Sequence, residues 1–126
     1  MTATPILTEG DLLYIAGLFD GEGSAGVYKH ADRRMKRAQV CMGMTDPDPI
    51  RFLALCFGGK VYEIQSNLPN RKLRYDWRLA DRRALGVANQ LLPYVKNLSK
   101  VKQLTSIVEY FNMRDINKPK RAGSGK

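Results

Sequence analysis

The sequence predicts an α+β fold. Four antiparallel strands lie under a layer of helices in the order αββαββα, with a further helix at the C-terminal end. Three features predict it. Residues 37–45 and 72–79 alternate between apolar and polar side chains; residues 47–57, 82–92 and 98–112 carry apolar residues at helical spacing; and glycine or proline marks most of the boundaries.

The first helix is expected over about 9–20, because Thr8-Glu9-Gly10-Asp11 has the form of a capping box ahead of Leu12, Leu13, Ile15, Ala16, Leu18 and Phe19. Its apolar residues run almost all the way round, so it requires cover on both sides. Gly21, Gly23 and Gly26 end it, and 24–30 reads as a strand with Ala25 and Val27 inward and Ser24, Tyr28 and His30 outward. In the next strand Ala38, Val40, Met42 and Met44 share one face, with Arg37, Gln39, Cys41, Gly43 and Thr45 on the other. Thr45-Asp46-Pro47 caps a helix over 47–57 carrying Ile50, Leu53 and Phe57, stopped by Gly58-Gly59. A third strand is expected at 60–65. The fourth, 72–79, turns Leu73, Tyr75, Trp77 and Leu79 inward and Lys72, Arg74, Asp76 and Arg78 outward. Helices at 82–92 and 98–112 follow, separated at Pro93. Residues 1–117 are expected to form a single domain, and 118–126 a basic, disordered tail holding four of the 21 basic residues.

Composition narrows the partner. The 126 residues carry 21 Lys plus Arg against 12 Asp plus Glu, a net charge of +9, which favours a polyanion. The length excludes kinases, TIM barrels and two-lobed enzymes. The longest apolar run, 12–19, is far shorter than a bilayer requires, and the N-terminus has no leader, so an intracellular protein is expected, without membrane or small-molecule partners. Cys41 and Cys56 are then free thiols. Two cysteines and one histidine at no metal-ligand spacing argue against a zinc site or a histidine-based triad, leaving carboxylates, lysines and metal ions for any catalysis.

Nine of the 21 basic residues fall on the two hairpins of the polar sheet face. Together with Gln39, Gln65 and Asn67, whose amides suit base edges, they point to nucleic acid, since two-stranded ribbons fit the DNA major groove. Strand parity nominates Tyr28, His30, Gln39, Glu63, Gln65, Arg74 and Arg78 as contacts, joined by Ser24 on the same face and by the basic hairpin residues Arg33, Arg34, Arg37, Arg71 and Lys72.

Gly21-Glu22-Gly23-Ser24-Ala25-Gly26 matches a dinucleotide-loop pattern, but a helix precedes it and a strand follows, the reverse of what such a loop needs. A calcium loop from Asp20 also fails, with Ala25 at the glycine position and Ala31 at the bidentate position. The run Ile15-Ala16-Gly17-Leu18-Phe19-Asp20-Gly21-Glu22-Gly23 instead resembles the signature of the LAGLIDADG homing endonucleases. The element order, the Gly58-Gly59 stop and the Pro93 to Gln103 segment are similar to that family as well, over about residues 8–112.

The resemblance implies a homodimeric double-stranded DNA endonuclease that cuts a long, near-palindromic target across the minor groove, leaving 3′ overhangs. With one motif per chain, two copies of the helix meet about a two-fold axis through Leu13, Ala16, Gly17, Asp20 and Gly21; glycines four apart permit close approach. Glu22, with Gly21 beside it, is the implied ligand for Mg²⁺ or Mn²⁺, and Ca²⁺ is expected to bind without supporting cleavage. Asp20 is expected to bond backbone near the helix end. Lys100 matches the lysine that orders the hydrolytic water, with Lys96 and Lys102 as alternatives. A polar residue of the water network maps to Asp46 or, with a slip, to Met44, a departure from the usual Gln or Asn. The alternative function is a non-cleaving DNA- or RNA-binding protein of the same fold, an intron maturase or a transcription regulator.

Overall fold

The computed structural model describes residues 7–29 and 36–117. Its elements are α1 (Glu9–Glu22), β1 (Gly23–Lys29), β2 (Lys36–Met44), α2 (Pro47–Phe57), β3 (Lys60–Ile64), β4 (Arg74–Ala80), α3 (Arg82–Leu91) and α4 (Leu98–Asn117). This is the expected order. The strands form one antiparallel sheet, β1-β2-β4-β3. Helices cover the face that carries Ala25, Ala38, Val40, Met42, Trp77 and Leu79. Among the described residues, no helix is long and apolar enough to cross a membrane. His30, Arg33, Arg34 and the 118–126 tail lie outside the described residues.

Both halves of the capping box form on α1: Thr8 Oγ1 accepts from the Asp11 N–H and the Asp11 carboxylate from the Thr8 N–H, each at 3.0 Å. The helix runs two residues further than expected, through Gly21, because the Gly23 N–H still reaches the Phe19 carbonyl. Gly23 has ordinary extended backbone, so space decides its identity. A Cβ there would lie 2.1 Å from the Phe19 ring. Ile15, Ala16 and Phe19 are buried under the sheet; Leu13 and Tyr14, on the opposite side, are about half exposed.

Gly58 and Gly59 take φ of 79° and 95°, a conformation that favours glycine, and turn the chain from α2 into β3. The Gly58 carbonyl accepts from Trp77 Nε1 at 2.7 Å, satisfying the one polar atom of the largest core side chain. β4 starts at Arg74, not 72: Lys72 and Leu73 alternate as a strand would but belong to the connection from β3. Buried Leu104, Ile107 and Phe111 of α4 close the core over β1, β2 and α3.

Gly23→Ala is expected to cost about 1–3 kcal/mol, since the Phe19 ring has no room to yield without disturbing the core. Urea denaturation should show a lower midpoint at unchanged slope.

Candidate functional site

Register fixes the sheet face turned away from the helices. β1 presents Ser24, Gly26 and Tyr28; β2 presents Arg37, Gln39, Cys41 and Gly43; β4 presents Arg74, Asp76, Arg78 and Ala80; β3 presents Lys60, Tyr62 and Ile64. Between β2, β4 and β3 the surface is concave, about 710 Å³, and its lining includes Arg37, Gln39, Lys60, Tyr62, Arg78 and Arg83. A cationic surface of this shape suits an extended anion.

The cations are held in place. Asp76 lies 3.2 Å from Arg78 and 3.9 Å from Arg74, and Arg78 also stacks over the Tyr62 ring at 4.8 Å. Gly43 faces Asp76 across the ladder, where a Cβ would lie 2.2 Å from its carboxylate. Arg37 donates twice to Asp81, at 3.2 and 2.8 Å, so its fork is engaged within the chain. Tyr28 folds back over Gly26, and burial, with a smaller contribution from Cys41, raises its phenol above the ordinary value. Cys41 Sγ lies 2.8 Å from Ser24 Oγ on the same face.

Two nominated contacts are corrected. Glu63 pairs with Tyr75, on the helix side of the sheet, and Gln65 lies beyond the end of β3. Alternation failed in β3 because this edge strand is exposed along almost its whole length and its sequence carries no burial pattern. Parity misses Lys60 and Tyr62; it turns Asp76 outward correctly, but Asp76 is not among the nominated contacts. Arg71 and Lys72 are exposed in the connection ahead of β4.

The second feature is the α1–β1 junction. Glu22 is the last residue of α1 and is exposed, and among the described residues none donates to its carboxylate. Lys100 Nζ donates to the carbonyl of Gly23, the next residue, at 2.5 Å. Gln103, one turn further along α4, accepts from the Ala25 N–H at 2.9 Å. Lys96 and Lys102 are exposed, and among the described residues neither ammonium makes a hydrogen bond or ion pair. Asp20 does bond backbone, accepting from the Lys96 and Asn97 N–H groups at 3.0–3.1 Å, which ties the α3–α4 connection to α1.

Three further expectations change here. Asp20, partly exposed, has its carboxylate engaged within the chain, and Ala16, 1% exposed, belongs to the chain's own core. Asp46 caps α2, its carboxylate accepting from the Asp48 N–H at 3.0 Å; Met44 pairs with Tyr75 on the helix side. Gly17, Gly21 and Leu13 do form an exposed stripe on α1, and a Cβ at either glycine would meet nothing within 4 Å.

The fold defined by these elements is the LAGLIDADG homing endonuclease fold, α+β with one four-stranded antiparallel sheet and a C-terminal helix. No family model matches the sequence, and no curated protein matches it. Solved structures do. The archaeal intron-encoded homing endonuclease I-Vdi141I, complexed with DNA, gives a TM-score of 0.66 at 16% identity over 86% of this chain and 71% of its own. The homing endonuclease I-CvuI, bound to DNA in the presence of Mg, gives 0.62 at 14% identity over 82% of this chain and 67% of its own. The LAGLIDADG homing endonuclease I-GzeII, in complex with its DNA target, also gives 0.62 at 14% identity, over 85% of this chain but 38% of its own. At such identities the shared property is the fold.

Thiol chemistry tests the two faces independently of function. Cys56 is 7% exposed, and burial, reinforced by the charge of Asp11, pushes its thiol pKa up; Cys41 is partly open on the polar face. With a thiol-specific chromogenic reagent at pH 8, one equivalent should react promptly and the second only on adding denaturant. Two equally fast thiols would contradict the packing described.

Proposed function

We propose that the chain is one half of a homodimeric, divalent-metal-dependent DNA endonuclease of the LAGLIDADG family. One observation carries this: an exposed carboxylate, Glu22, ends α1 where its bare glycine stripe meets the cationic sheet face, with the Lys100 ammonium on the adjoining peptide. Pairing two copies along the stripe brings the two Glu22 side chains together between two basic sheets. The DNA lies across both sheets. Lys60, Arg74 and Arg78 meet its charge, and Gln39 reaches base edges.

The donor chemistry fits a hard cation. Among the described residues no group of three or more His, Cys, Asp or Glu could hold a metal, so a single chain offers Glu22 and the Gly21 carbonyl, both oxygen donors. The remaining positions fall to the second copy, to phosphate oxygens and to water, a set suited to Mg²⁺ or Mn²⁺. When bound, such an ion supplies an activated water and stabilises the leaving oxygen. Like charge at a helix C-terminus is unfavourable, so two Glu22 carboxylates side by side favour cation binding. Lys100 spends one of its three N–H donors on Gly23 and keeps two to orient the attacking water or neutralise the phosphate. No step is assigned to Asp46. A binder without nuclease activity would use the same sheet but gives no account of Glu22.

Glu22→Gln should abolish Mg²⁺-dependent cleavage of a target recovered from a randomised duplex library while leaving its binding within about twofold. Cleavage by this variant at the wild-type rate would remove Glu22 from the reaction. Gly17→Leu adds four carbons to the stripe without touching the chain's own core, so light scattering should report a monomer where the parent is a dimer. A dimeric variant would move the interface elsewhere.

A further inference from the structure

Among the described residues β1 is an edge strand, with β2 as its one neighbour, so the backbone groups of alternate residues that point to its other side have no ladder partner there. At the start of the strand α4 supplies those partners with side chains. The Gly23 carbonyl accepts from Lys100 Nζ, and the Ala25 N–H donates to Gln103 Oε1 at 2.9 Å. Residues two apart on a strand point their edge groups the same way, and residues three apart on a helix share a face. The two periodicities match here, and α4 grips the junction after Glu22 at two points.

The two grips are chemically unlike. Lys100 is a flexible four-carbon stem ending in a charge, so its bond to Gly23 leaves the ammonium free to swing, while the apolar packing of Leu104 and Ile107 holds α4 over β1 without directional bonds. Gln103 is uncharged and partly buried, and its amide oxygen takes a directional bond from the Ala25 N–H. It sets the register of α4 against β1. The same bond seats Gln103, and Lys100 one turn before it, against the residues that follow Glu22.

We propose that Gln103 is a positioning residue for strand cleavage, acting through Lys100, and that it touches neither DNA nor metal. The proposal rests on the endonuclease reading of Glu22 and Lys100. Misplacement of a reacting group by about 1 Å is enough to cost on the order of a hundredfold in rate, so a lost register bond should register in cleavage well before it registers in folding.

The test uses the full-length protein and the target that the wild type selects from a randomised duplex library. Gln103→Leu removes the acceptor at similar volume; single-turnover cleavage should slow by about tenfold or more, with DNA affinity and melting temperature nearly unchanged. Gln103→Glu keeps an oxygen at the same reach and should recover most of the rate. Because Gln103 acts through Lys100, the double variant Lys100→Ala with Gln103→Leu should cut no more slowly than Lys100→Ala alone. Additive losses would overturn the proposal, as would a Gln103→Leu variant that cuts at the wild-type rate or that loses rate, affinity and stability together. A wild type that cleaves no member of the library defeats the endonuclease reading itself, and this inference with it. That result is distinct from an active wild type beside an indifferent variant.

Discussion

A single chain cannot cover α1. Ile15, Ala16 and Phe19 occupy the core, while Leu13 and Tyr14 are 52% and 49% exposed and Gly17 and Gly21 lie bare between and below them. Each glycine weakens a helix by about 1 kcal/mol relative to alanine, and alanine would fit at both positions. The protomer therefore carries two costs with no internal reason. In the proposed dimer a second helix packed at close range supplies the reason. Gly23 must be a glycine to let the helix stop against Phe19, and β1 leaves from that point with its first backbone groups held by α4.

The sheet face beyond the junction is organised more for direction than for stability. The Asp76 contacts with Arg74 and Arg78 and the Arg37–Asp81 pair are substantially solvent-exposed, where ion pairs are worth little. What they do is restrict long guanidinium side chains to one orientation before any ligand arrives. A carboxylate on a face that attracts an anion is otherwise unfavourable. Asp76, seated in the space left by Gly43 and flanked by two arginines, makes sense as an orienting group.

Much of this was legible in the sequence because it rests on local periodicity. The strict alternation through Ala38, Val40 and Met42 gave the face of β2 correctly, the capping box gave the start of α1, and the 15–23 run marked the glycine stripe and Glu22 together. The errors share a cause, which is that a residue's partner lies elsewhere in the chain. Glu63 was misplaced because edge strand β3 buries almost nothing; Ala16 looks like any small residue of the stripe until its neighbours in the core are known. Asp46 is a different case: its partner, the Asp48 N–H, is local, and its position before Pro47 already suits the cap that forms. Gln103 gave no signal at all. Its significance comes from an amide 78 residues earlier.

The central claim is that two copies of this chain build one cutting centre, each contributing a Glu22 and each responsible for one strand. Mixing differently tagged wild-type and Glu22→Gln chains, isolating the mixed dimer and presenting it with a supercoiled plasmid that carries the selected target tests this directly. The account predicts mainly nicked circles from the mixed dimer, where the parent gives linear product. Linear product from the mixed dimer at a rate near the parent's would show that one chain cuts both strands unaided, and would contradict the shared centre.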